Sequence, residues 1–201
     1  MEAIKEIQLS ENRVFKMYSD EHRDSPREWD NLGTLACFHR RYNLGDSNVP
    51  FCSSEFSSWA EMENHIWNDL DAAVVLPIYM YDHGGITIST APFSCPWDSG
   101  QIGFIYVTKE KVREQSRVKR IGRSLLDKVT TALENEVIIY DQYLTGDVYG
   151  FEIVSVETCD QNHKHEKLED SCYGFYGSDI DKNGMLDHIS KEDAEIILGQ
   201  L

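Results

Sequence analysis

Three groups of residues in this chain have the types and spacing to do chemistry. Asp82-His83-Gly84-Gly85 and Cys95-Pro96-Trp97-Asp98 put an imidazole, a thiol and carboxylates in neighbouring segments. A cysteine beside a histidine is a candidate nucleophile, so His83, Cys95 and Asp98 form the catalytic candidate. No signature of a known cysteine hydrolase surrounds Cys95, and a histidine in a tight turn more often faces solvent. Asp179-Ile180-Asp181-Lys182-Asn183-Gly184-Met185-Leu186 follows the first eight positions of a calcium-binding loop, with oxygen ligands at Asp179, Asp181 and Asn183. Its twelfth position is Ser190 where a bidentate Glu is needed, so an Asx-rich turn with Asn183-Gly184 in the left-handed region is the plainer reading. Cys37-Phe38-His39 and His163-Lys164-His165 offer zinc ligands two residues apart, which is not the spacing of common structural zinc sites. No cofactor is expected.

A third group concerns recognition. Pro26-Arg27-Glu28-Trp29-Asp30-Asn31 and His39-Arg40-Arg41-Tyr42 concentrate charge and aromatic rings in loop-like sequence. Trp29, Asp30, Arg40 and Arg41 are therefore binding candidates, since Arg and Trp anchor interfaces. The plainer alternative is a loop pinned by its own Arg–Asp and Arg–Glu pairs around a half-buried Trp29. The motifs of phosphate-binding loops, dinucleotide folds, zinc proteases and serine hydrolases are absent from the sequence.

The elements that must position these residues can be read from periodicity. Residues 3–19 alternate and predict one or two strands, and 20–31 read as a loop broken by Pro26. Residues 32–39 form a short strand, and 40–54 are rich in turn formers. Ser58 and Glu61 read as a capping box opening a helix to about Leu70, with Met62, Ile66 and Leu70 on one stripe. Val74–Tyr81 and Ile86–Thr90 flank His83-Gly84-Gly85 as a hairpin. A proline-fixed loop from Ala91 to Gly100 leads to a strand over Ile102–Val107, and Thr108 caps a short helix. A long helix is expected from about Val118 to Tyr143, then a strand over Val148–Glu157. Cys159–Asp170 reads as a charged loop and Ser171–Tyr176 as the last strand, before a helix capped by Ser190. The class is α+β: one domain over residues 1–201, a mostly antiparallel sheet with two to four helices packed on it.

Charge sets the class of partner. The 201 residues carry 35 acids and 19 bases, a formal net charge of −16. Residues 101–150 are nearly neutral, with bases clustered between Lys109 and Lys128, so the acidity belongs to the two ends. Such a balance argues against direct binding of nucleic acid, which rewards Lys and Arg through counterion release. It suits a basic partner instead, with Glu61, Glu63, Asp69 and Asp71 in one segment and Asp187, Glu192, Asp193 and Glu195 in another as the anionic candidates. No apolar run is long enough for a membrane span, and Glu2, Lys5 and Glu6 precede any apolar block, unlike a signal peptide. Five widely spaced cysteines, an odd number, fit free thiols in a cytoplasm.

Long segments resemble a group of proteins from bacteriophages and other mobile elements of Gram-positive bacteria. They are Pro26–Gly33, Cys37–Asp46, Tyr81–Ile88, Pro92–Val107, Tyr140–Phe151 and Asp170–Gly177. That group has no established activity or catalytic residues. The resemblance implies a phage accessory protein in the cytoplasm of a bacterial host. By analogy, such a protein binds and inhibits a host defence protein by occupying a basic nucleic-acid-binding surface, as a charge mimic. The alternative is a small hydrolase using His83, Cys95 and Asp98.

Overall fold

In the computed structural model residues 2–159 and 163–201 are described. In chain order the elements are β1 (Lys5–Ser10), β2 (Arg13–Ser19), β3 (Thr34–Cys37), α1 (Trp59–Asn68), β4 (Ala72–Asp82), β5 (Ile86–Ser89), β6 (Ser99–Thr108), α2 (Lys109–Ser116), α3 (Arg123–Thr145), β7 (Val148–Thr158), β8 (Lys164–Tyr176) and α4 (Lys191–Leu198). Two antiparallel sheets and four helices make an α+β fold. The chain divides into two compact units. One holds residues 1–24 and 142–201, the other residues 25–141, and the division falls inside α3. No helix among the described residues is long and apolar enough to cross a membrane.

The first unit is built on a sheet of order β1-β2-β7-β8. Alternation puts Ile7, Leu9, Phe15, Met17, Phe151, Ile153 and Phe175 into one core with Met185 and Ile197, while Lys16 and Tyr18 take the other face of β2. Phe15, Phe151 and Phe175 stack in sequence at 5.8 and 6.0 Å. The sequence reading of Cys159–Asp170 as a loop is corrected: residues from Lys164 onward are strand, and residues 160–162 lie outside the described residues. β8 is an edge strand exposed along most of its length, so charge costs it little burial, and its main chain finds partners along β7 from Lys164 to Tyr176. Two of its carboxylates also clamp β2: Glu166 on Lys16 at 2.6 Å and Glu169 on Arg13 at 2.7 Å.

The second unit has a sheet of order β3-β6-β4-β5. One face packs Ala36, Val75, Phe104 and Tyr106 against Met62 and Ile66 of α1, with Phe51 between them. The stripe read from the sequence is thus the buried face of α1. Ser58 caps α1 as expected, but the carboxylate of Glu61 accepts from the N–H and hydroxyl of Ser57, not from Ser58. Thr108 caps α2 through the Lys111 N–H. α3 starts at Arg123, five residues later than the periodicity suggests. Arg117, at φ 53°, ends α2 in the left-handed region, and the chain must turn before a new helix can begin.

Candidate functional site

The β4–β5 hairpin turns through His83-Gly84-Gly85, with Gly84 at φ 75°. This turn and the strand that follows bring two of the sequence constellations to one end of the second unit's sheet. Arg41 forms an ion pair with Asp82, and the Tyr42 hydroxyl donates to the other oxygen of that carboxylate at 3.4 Å. The Asp82 N–H donates to the Asp98 carbonyl at 2.9 Å. Asp98 Oδ2 then receives His83 Nδ1 at 3.2 Å and the Cys95 thiol at 3.8 Å.

The order of these contacts decides their chemistry. A thiolate nucleophile needs the imidazole next to the sulfur and the carboxylate behind the imidazole. Here the carboxylate stands between them, so the imidazole is not placed to take the thiol proton. The imidazole of His83 is 70 % exposed and stacks on Tyr81, so it also lacks a desolvated setting.

Arg27, which in the sequence is only one residue of its loop, organises the region around that loop. Its guanidinium binds Asp46 in bidentate fashion at 2.9 and 2.7 Å, Glu136 at 3.0 Å and the Gly33 carbonyl at 2.9 Å. Glu136 also accepts from the Leu32 and Gly33 N–H groups, and Asp46 from that of Leu35. Burial opposes the charge on Arg27, but the two carboxylates outweigh it and raise the pKa. The loop is thus pinned by Arg27, with distant acids rather than the adjacent Glu28 and Asp30. Above this network lies a polar cleft of about 500 Å³ with Trp29, Asp30 and Asn31 on its wall. Trp29 is half exposed. No spacing rule links positions 27, 46 and 136; only Gly45-Asp46 in a turn-rich stretch hinted at a fixed carboxylate.

The carboxylate candidates fall into two sets. In the second unit they hold local structure: Asp69 pairs with His65 at 2.6 Å, Asp71 with Lys109 at 2.5 Å, Glu63 accepts from Trp67 at 3.4 Å and Glu61 serves the cap. In the first unit Asp187, Glu192 and Glu195 are exposed and form no ion pair among the described residues. Asp193 is a correction to the surface reading. It is buried, bound by Arg13 at 3.0 and 3.1 Å and by the Ser190 hydroxyl at 2.9 Å.

The calcium-like segment is also occupied by its own contacts. Asp179 holds Lys182 at 2.6 Å and the Asp181 N–H at 3.2 Å, and Asn183 Oδ1 accepts from Met185. Gly184 takes the left-handed conformation at φ 83°; Asn183 does not. Among the described residues no three His, Cys, Asp or Glu side chains are grouped to hold a metal ion. Cys37 is buried, which pushes its thiol pKa up and keeps it neutral. Compared with known proteins, the chain matches no family model, no curated protein and no solved structure.

Proposed function

We propose that this chain is a binding protein that presents its acidic first unit to a basic surface of another macromolecule. On the resemblance noted above, the setting is a phage accessory protein inhibiting a nucleic-acid-binding defence protein in a bacterial cytoplasm. The observation that carries the reading is the handling of charge. The first unit has 19 acids and 8 bases, against 16 and 11 in the second. Within it Arg13, Lys16 and Lys182 are spent on internal carboxylates, while Asp187, Glu192 and Glu195 remain exposed. Five free cysteines suit a reducing compartment.

The test is capture of partners from a Gram-positive host with the full chain, followed by titration of the purified complex. Charge reversal by Glu192→Lys with Glu195→Lys should weaken binding by about tenfold or more at low salt. Equal affinity for the doubly reversed chain refutes the reading. A second reading, a small hydrolase, rests on the contact between His83 and Asp98. It predicts turnover in a nucleotide substrate screen that His83→Ala abolishes, and an inactive wild-type chain disposes of it.

A further inference from the structure

One cavity in this strongly anionic chain is lined by cations and by no carboxylate. It has a volume of about 560 Å³ and lies wholly in the second unit, walled by Phe38, His39, Arg40, Arg41, Tyr42 and Ser53 among others. That volume is in the ordinary range for a small-molecule site. Arg40 is exposed and has no hydrogen-bond or ion-pair partner among the described residues. Arg41 is held by Asp82 from outside the cavity wall, with its guanidinium 5.4 Å from the centre of the Tyr42 ring. One carboxylate therefore fixes both Arg41 and Tyr42, and it leaves the wall with a positive excess.

The rings supply a second kind of contact. His39 and Tyr42 stack at 5.2 Å with planes 12° apart, so the pair presents an outer ring face at a wall that Arg40 and Arg41 also line. The Arg41 N–H donates to His39 Nδ1 at 3.4 Å. Asp82 offsets the charge of Arg41, so the positive excess at the wall comes from Arg40, unpaired among the described residues.

We propose that this cavity is a nucleotide site: Arg40 and Arg41 take the phosphates and the His39–Tyr42 stack takes the base. Arg is suited to phosphate oxygens through its planar fork of donors, and an aromatic face stacks any base. This inference goes beyond the function proposed above and uses other residues, so either can fail alone.

The experiment is titration of the full chain with ADP, adenosine and inorganic phosphate, followed by calorimetry and backbone amide NMR. ADP is expected to bind with a Kd of about 1 mM or tighter. Its shifts should centre on residues 37–43, and adenosine and phosphate should each bind at least about tenfold more weakly, since each engages one half of the site. Arg40→Gln, at an exposed position that leaves the fold intact, should weaken ADP by about tenfold or more. Glu192→Lys should leave ADP binding unchanged. Absence of shifts in residues 37–43 at saturating ADP, or equal binding by Arg40→Gln, overturns the proposal. Phosphate alone binding as well as ADP also overturns it, because the stacked rings would then contribute nothing.

Discussion

Arg27 is the residue on which the second unit's loops depend. Its side chain is 9 % exposed and satisfies two acids that are 13 % and 14 % exposed. Arg27→Met would leave Asp46 and Glu136 without their cation in a half-dry setting, which typically costs about 3–5 kcal/mol. Chemical denaturation should therefore show a loss of that order, and a loss below about 1 kcal/mol would mean the acids are solvated on their own. A second prediction concerns Asp193. Burial pushes its carboxyl up, but hydrogen bonds from Arg13 and Ser190 prevail and leave it below its ordinary value of 3.8. A carboxylate depressed on folding stabilises the protein above the unfolded pKa, and that contribution is lost as pH falls through the folded one. Arg13→Gln removes the main support, so acid unfolding followed by circular dichroism should begin at a higher pH than in the wild type. These residue-scale features were only partly legible. Ser58, Thr108 and Ser190 were recognisable as caps because a cap acts over three residues. The partners of Arg27 and Arg13 lie as far as 109 and 180 residues away, where no local rule reaches.

At the scale of elements, the close approach of β3 to β6 sets the strictest demand. Gly103 pairs with Cys37 on one side and Ile78 on the other. A Cβ built there would lie 1.9 Å from the Ala36 carbonyl oxygen, which is main chain and cannot rotate away. Gly103→Ala should destabilise the unit by about 3 kcal/mol or more in thermal or chemical unfolding. Gly100→Ala in the same strand meets nothing within 4 Å and serves as the control. Equal stability of the two variants would show that the ladder yields at Gly103. Most strands and helices were readable, since periods of two and about 3.6 survive wherever one face is buried. The first half of β8, residues 164–170, was not, because that exposed edge has no buried face to imprint a period and its charged residues look like a loop, whereas Ser171–Tyr176 was read as strand. The start of α3 was misread for the opposite reason: the apolar spacing runs through residues 118–122, but the turn at Arg117 interrupts it.

For the whole molecule, the balance between −16 overall and the uneven division between units is the dominant electrostatic fact. A partner recognised by the acidic unit should associate quickly at low salt, and its on-rate should fall by about tenfold or more toward several hundred millimolar salt. Stopped-flow association measured over that range checks this, and a flat response would move recognition to apolar contacts. The amino-acid order by itself determined the α+β class, most element boundaries, the helix caps and the surplus of acid, because each depends on composition or on neighbours a few residues apart. Tertiary structure alone decided that Asp98 stands between His83 and Cys95, that Asp193 is buried on Arg13, and that cations and stacked rings wall one cavity. Those outcomes depend on which distant side chains the sheets bring within about 4 Å, the range over which hydrogen bonds and ion pairs act.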